Sequence, residues 1–457
     1  MLQQRSLRKV AVLLCGLLCF PVSANATQPM NDNSKHPSNI VLIFVDNVGY
    51  GDLGCYGNAN VKTPHIDTLA KEGVRCTDFY TASPSCSPSR AALLTGRYPA
   101  RNGLTEQLSV KGNLGVGLRH SEILVSEFLR RAGYVTGCFG KWNIGFAKGS
   151  RPTERGFDEF FGHASGNMHY YHHEYNGRND LFRGTKTVKV DGYSTDLFAD
   201  AACDFIKRHA KRRFFCYVPF NAAHYPNPRN HKPGEPVLWP APAKYFRMYG
   251  LTADEKDAKK RYRAVLTALD DGVGRILKQI DDSGLRDNTL VVFLSDNGAF
   301  MLPDRGREVA SNHPLRSGGV TVWEGGVRVP CIVRWPGKLK AGSICREPLL
   351  SLDLLPLSLK AAGARLPRDH IIDGRDPLSA LAGKAKSAHE YLFFEWRKMA
   401  SVRWKKYKLV RERPGQAWQL YDLQNDIGET RNIASQHKAI VRQMEQRYDN
   451  WAKQVRE

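Results

Sequence analysis

Short apolar runs at residues 40–45, 134–139, 214–220 and 290–294 recur along the chain, each bounded by polar or turn-forming residues. They are too short for helices and too uniformly apolar for half-exposed strands. The pattern predicts strands buried on both faces. Between the last two, Val265, Leu269, Val273, Ile276, Leu277 and Ile280 make one stripe at helical spacing and predict a helix over residues 262–280. Strands alternating with helical patterns predict an α/β fold with a mainly parallel sheet covered on both faces. Ligands of such sheets bind beyond the carboxyl ends of the strands, so the residues after each run are the candidates for chemistry.

Two of those ends carry an Asp-Asn pair, Asp46-Asn47 after the first run and Asp296-Asn297 after the last. If the two strands are neighbours, four side-chain oxygens converge, two of them anionic. Such hard donors suit calcium or magnesium rather than zinc. Asp-Asn-Gly is equally a turn former. Between these ends lies Ser83-Pro84-Ser85-Cys86-Ser87-Pro88-Ser89-Arg90. Ser87 and Pro88 are helix-start signals, which would set Cys86 at a helix N-terminus, where free N–H groups favour anions. An ordinary nucleophilic thiol and an inert buried cysteine are the alternatives.

The start of the chain changes the cellular picture. Arg5, Arg8 and Lys9 precede an apolar run of 11 residues, 10–20, and Ala24-Asn25-Ala26 follows, which reads as a signal peptide over residues 1–26. That run falls short of the roughly 20 apolar residues a membrane span needs, so the segment predicts export, periplasmic or secreted, with no integral membrane segment after its removal. The formal charge of +22 falls to +19 once its three basic residues are gone. No zinc-finger spacing, RNA-binding aromatic motif or clustered basic helix points to nucleic acid. A sulfated polysaccharide fits an exported basic protein better; a charge that serves only solubility is the other reading. The eight cysteines beyond the signal show no regular framework, which leaves any disulfide pairing open.

The stretch Cys86-Ser87-Pro88-Ser89-Arg90, with Thr95-Gly96-Arg97 after it, resembles the Cys-x-Pro-Ser-Arg signature of the sulfatase family, in the alkaline phosphatase superfamily. There a maturation enzyme oxidises the cysteine to formylglycine. The resemblance continues in family order through Gly140-Lys141-Trp142, Ser295-Asp296-Asn297-Gly298, the segment from Trp323-Glu324-Gly325-Gly326 to Pro330, Ser351 to Pro356, and Leu420-Tyr421-Asp422-Leu423. It implies a large α/β/α sandwich, alkaline phosphatase-like, over residues 38–365. A small C-terminal domain over 366–457 would add an antiparallel sheet and a final helix. Residues 391–396, 407–410 and 418–422, rich in aromatic and β-branched side chains, would be strands of that sheet.

The resemblance also implies roles. Asp46, Asn47, Asp296 and Asn297 would hold one calcium ion against the hydrated aldehyde at position 86. Arg90 and Lys141 would bind the aldehyde hydroxyls or the sulfate, cations placed where charge develops. His224, in Phe220-Asn221-Ala222-Ala223-His224-Tyr225-Pro226, would protonate the leaving oxygen. The partners would be a sulfated carbohydrate or small sulfate ester and the maturation enzyme. Three departures matter: Asn47 stands for a usual aspartate, Asn143 for a histidine thought to act as base, and Gly319 for a sulfate-binding lysine. The last would remove a cation and open room, with Arg316 or the histidines at 163–173 as candidate compensation. An active sulfatase, a protein that binds sulfated glycan without turnover, and a phosphate or phosphonate ester hydrolase are the functional classes this leaves.

Overall fold

The computed structural model describes residues 38–108, 117–226, 230–235, 238–301, 308–367 and 369–457; the signal-peptide reading of residues 1–26 lies outside them. Five parallel strands form the centre of a ten-stranded sheet in the order Thr289–Ser295, Asn39–Val45, Phe214–Pro219, Val135–Lys141 and Glu159–His163. Antiparallel strands extend both sides, Cys331–Arg334 beside the first and Leu181–Arg183 beside the last. All four predicted strands are present within about one or two residues of their expected ends, the usual scatter of such boundaries.

The Asn39–Val45 strand shows why the apolar runs are continuous. Val41, Ile43 and Val45 face one core with Phe198 and Phe205 of the Ser194–Arg208 helix and Val265 and Leu269 of the Ala258–Asp282 helix. Ile40, Leu42 and Phe44 face the other, with Leu93 and Leu94 of the Cys86–Thr95 helix and Leu355 and Leu359 of the Leu354–Ala361 helix. Helices on both faces leave no side of the strand in water. This is the expected α/β/α sandwich.

A second sheet runs Tyr391–Trp396, Met399–Trp404, Tyr407–Arg411 and Gln419–Asp422, antiparallel throughout. The Lys438–Gln454 helix contributes Met444 and Trp451 to the same core cluster. The Met399–Trp404 strand was not predicted, because Ser401 and Arg403 break its apolar pattern. Both are nonetheless buried and satisfied: Ser401 Oγ donates to Val322 O at 2.9 Å and Arg403 Nε to Tyr80 Oη at 3.2 Å. Glu324 lies wholly buried at this junction, accepting from Lys408 Nζ at 2.8 Å and Tyr80 Oη at 2.7 Å. Glu429 Oε2 accepts from Glu324 N at 2.9 Å.

Candidate active site

The strands Thr289–Ser295, Asn39–Val45, Phe214–Pro219 and Val135–Lys141 end side by side. Asp46-Asn47 and Asp296-Asn297 follow two neighbours of this set. Asp296 N donates to Val45 O at 2.9 Å and Asn47 N to Asp296 Oδ1 at 3.1 Å, which fixes one pair against the other. Asn47 has φ 58°, a left-handed conformation that asparagine tolerates better than most side chains.

Lys141 ends its strand with Nζ 2.6 Å from Asp46 Oδ2. Arg90, one turn into the Cys86–Thr95 helix, donates from Nη2 to Asp296 Oδ2 at 2.7 Å and from Nη1 to Lys141 O at 3.1 Å; Asp46 Oδ1 is 3.8 Å away. All four charged side chains are fully buried. Burial opposes charge on Arg90 and Lys141, but the aspartates outweigh it and hold both cations above their ordinary pKa. Burial first, and then the neighbouring Asp46, pushes Asp296 up.

Cys86 is the first residue of its helix, with Sγ 3.5 Å from Asp46 Oδ1 and 3.8 Å from Asn47 Oδ1. Burial and Asp296 raise its pKa well above the usual thiol value, against the partial relief from Lys141. An activated thiolate is therefore disfavoured here. Ser85 stands at the cap position but does not cap; its hydroxyl donates to Gln107 Oε1 at 3.1 Å, and that oxygen also accepts from Ser87 N at 3.0 Å. Gln107 thus satisfies a helix-end N–H from a distant loop, a role nothing in the sequence marks. Ser89 Oγ and Thr81 Oγ1 donate to Asp296 O at 2.5 and 2.8 Å, so the signature motif also anchors the second Asp-Asn pair.

His224 sits beyond the Phe214–Pro219 strand in a loop clasped to the first strand end, Asp46 N donating to Ala222 O and Ala223 N to Asp46 O, each at 2.8 Å. Tyr170 Oη donates to His224 O at 2.7 Å. The imidazole Nδ1 donates to Tyr225 O at 2.6 Å, which leaves Nε2 with the lone pair. Burial, and then Lys141, pushes the His224 pKa down to about 3, so the ring is neutral. Asp46, Cys86 and His224 each place a possible ligand atom within 4.8 Å of the others.

A hard cation fits this donor set. Asn297 Oδ1 is buried with no hydrogen-bond partner, while its Nδ2 donates to Asn47 Oδ1 at 2.6 Å and to Gly298 O at 2.9 Å. Two carboxylates and two amides at adjoining strand ends supply the oxygens calcium takes.

Of the three departures, the one at Gly319 differs from expectation. Asn143 is buried with φ 55°, another left-handed position suited to asparagine. Gly319 does not open room, because Phe300 already occupies it: an added Cβ would lie 2.2 Å from Phe300 Cδ1. Arg316 does not compensate. Its guanidinium lies 3.7 Å from the Trp323 ring centroid and donates to Glu429 O at 2.6 Å. Among the histidines, His163 pairs in register with Lys141 but is buried with neither ring nitrogen hydrogen-bonded, while His169 and His172 stack at 4.4 Å.

The mainly parallel sheet between two layers of helices, with the separate four-stranded antiparallel sheet, is an alkaline phosphatase-like fold. A sequence model described as "Sulfatase" matches residues 38–364, and one described as "N-sulphoglucosamine sulphohydrolase, C-terminal" matches 320–454. The chain is 34% identical to N-acetylgalactosamine-6-sulfatase of Canis lupus familiaris over 82% of its own length and 72% of that protein's. It is also 34% identical to arylsulfatase A of Homo sapiens, over 87% of this chain and 83% of that one. The solved structure of Ps i-CgsB in complex with k-i-k-neocarrahexaose superposes with a TM-score of 0.81 at 31% identity, covering 91% of this chain and 93% of that one. The chain belongs to the sulfatase family and is a sulfuric ester hydrolase. Among the described residues no helix is long and apolar enough to cross a membrane.

Proposed function

We propose that the protein hydrolyses the sulfate ester of a sulfated carbohydrate, with residue 86 matured to formylglycine and one calcium ion held by Asp46, Asn47, Asp296 and Asn297. The observation that carries this is the setting of Cys86: at a helix N-terminus, against the Asp46-Asn47 pair, with its thiol pKa raised rather than lowered. A cysteine nucleophile would need the opposite shift. Oxidised and hydrated, the same position supplies two hydroxyls on one carbon, one to displace the alcohol from sulfur and the other to let sulfate leave. Calcium in the oxygen cluster supplies a lowered hydroxyl pKa and charge neutralisation.

The chain's own residues do the rest. Lys141 and Arg90, held charged by Asp46 and Asp296, supply the positive field that meets the sulfate. The His224 Nε2 is oriented by the hydrogen bond from Nδ1 to the Tyr225 carbonyl and serves the leaving oxygen; burial first and then Lys141 keep the ring neutral, and a bound sulfate's negative charge opposes the second of these. The Canis and human relatives named above are sulfatases by name, and the Ps i-CgsB structure holds a carbohydrate, which supports a sugar sulfate as substrate. The basic charge and the leader-like start support an exported enzyme that meets a polyanion outside the cytoplasm, after a formylglycine-generating enzyme has acted on it.

Protein co-expressed with a maturation enzyme should show formylglycine at residue 86 by tryptic mass spectrometry and should cleave an aryl sulfate much faster than the matching aryl phosphate. An unmodified thiol throughout, with sulfated oligosaccharide bound but never cleaved, would instead establish a binding protein. Faster cleavage of the phosphate would make it a phosphohydrolase.

A further inference from the structure

Gly319 and Phe300 fit each other closely. A Cβ at Gly319 would stand 2.2 and 2.4 Å from Phe300 Cδ1 and Cε1 and 2.6 Å from Gly298 O, so even alanine cannot occupy the position without displacing the ring. Phe300 is also edge-on to His224, with ring centroids 5.8 Å apart and planes at 75°. The ring is only partly buried. A partly exposed aromatic ring thus stands beside the histidine assigned above to the leaving oxygen. The nearby cations, Lys141 and Arg90, are committed to Asp46 and Asp296 at 2.6 and 2.7 Å.

We propose that Phe300 is a specificity-determining residue, an aromatic platform for the C–H face of the sugar ring that carries the scissile sulfate. Gly319 is the residue that seats it. The carbon skeleton of the leaving group is joined directly to the oxygen that His224 serves, so a pyranose ring attached there comes within reach of a side chain one ring away. A pyranose presents several weakly polar C–H bonds on one face, which gain dispersion and electrostatic attraction from the electron-rich face of an arene. A second sulfate or a carboxylate on that face would meet the same negative ring face, and the described cations nearby, Lys141 and Arg90, are already paired with Asp46 and Asp296. The substrate class is therefore a sugar unit that carries the scissile sulfate and turns to Phe300 a face of C–H bonds with no anionic group. The assignment rests on the sulfatase reading only in using His224 to locate the leaving group.

The test uses the full chain and unsulfated methyl glycosides of galactose, N-acetylgalactosamine and glucosamine, followed by saturation-transfer NMR, so that it does not depend on turnover. At least one glycoside should receive saturation on one ring face from the wild type and from Phe300→Trp. Affinity should fall about tenfold or more in Phe300→Ala and in Phe300→Leu, which keeps bulk against Gly319 without an aromatic face; that is about 1.4 kcal/mol. Inorganic sulfate, read by calorimetry, should bind all four proteins within about twofold of one another. Equal transfer in wild type and both aliphatic variants, no transfer to any glycoside in the wild type, or parallel loss of sulfate binding overturns the proposal. Failure of the matured wild type to cleave any sulfate ester would count against the sulfatase mechanism and leave the platform standing.

Discussion

Lys141 Nζ lies 2.6 Å from Asp46 Oδ2 although the two residues are 95 apart in sequence and an entire strand, Phe214–Pro219, runs between theirs. The pair is wholly buried, so neither charge is satisfied by water. Removing the lysine leaves Asp46 beside Asp296 with Arg90 as the remaining cation, and breaking a buried pair typically costs about 3–5 kcal/mol. Lys141→Ala should therefore melt much lower than wild type in chelator and recover most of that loss in millimolar calcium. A variant equally destabilised with and without calcium would show that no metal sits beside Asp46.

The second Asp-Asn pair gives the complementary measurement. Metal bound only to the folded state stabilises it by about 2.7 kcal/mol at a concentration one hundred times the dissociation constant. Calcium should raise the wild-type melting temperature, and Asp296→Asn should make it indifferent to calcium while keeping the shape of the side chain. Calorimetric scans with calcium and with chelator decide the matter; unchanged calcium dependence in the variant would exclude Asp296 from the site.

Gln107 Oε1 holds Ser85 Oγ and Ser87 N on either side of Cys86. Replacing it by alanine removes a helix-end acceptor, a change usually worth about 0.5–2 kcal/mol. We expect Gln107→Ala to destabilise by about that amount and to reduce kcat more than it raises KM, because the position it fixes is the one proposed to carry the nucleophile. Stability lost with kcat intact would confine Gln107 to a structural role.

At Asn143 the chain has an amide, which is no base near neutral pH, where the family has a histidine. A positioned base is worth roughly 10²–10⁴ in rate. Rapid mixing of matured enzyme with an aryl sulfate should give a burst of phenol and then slow turnover, and Asn143→His should speed the slow phase. Linear product formation from the first turnover would mean another group takes the proton.

The junction between the sheets makes a pH prediction. Burial pushes Glu429 up to about 8, with Glu324 adding to it and Lys408 opposing it. Its folded pKa lies above the ordinary 4.5, so its contribution is complete below about pH 4.5 and is lost as the pH rises through about 8. Glu324 works oppositely: burial raises it, but Lys408 and Arg328 prevail and hold it near 2, so its stabilisation is present above about 4.5 and lost only as pH falls toward 2. Of these two glutamates only Glu429 should tilt the curve between pH 5 and 8; Asp52 and Asp270, each raised to about 7 by burial, tilt wild type and variant alike. Urea titrations should show wild type losing stability across that range relative to Glu429→Gln; parallel curves would refute the assignment.

Much of this arrangement was legible in the sequence, and the reasons differ by element. Strands such as Asn39–Val45 were readable because burial on two faces writes a continuous apolar run. The two Asp-Asn pairs were readable because strand ends in parallel sheets collect ligands. Met399–Trp404 was not, since its polar residues are satisfied by partners about 80 and more than 300 positions away. Nor were Gln107 and Phe300. A capping acceptor from a remote loop and a ring packed on a glycine leave no periodicity, and Gly319 by itself suggested empty space where the fold puts an arene.

Glu324 carries its charge wholly buried, and Lys408, the nearer of the two cations paired with it, comes from the Tyr407–Arg411 strand of the four-stranded sheet. A chain cut near residue 365 would keep every side chain around Cys86 and yet leave Glu324 without Lys408, with Arg328 as its nearest remaining cation. The last ninety or so residues are thus no removable accessory, and recombination that exchanged them for a foreign C-terminal segment would have to import a buried cation at the same point. Along an evolutionary lineage the two sheets must be inherited together, because an internal charge is split between them.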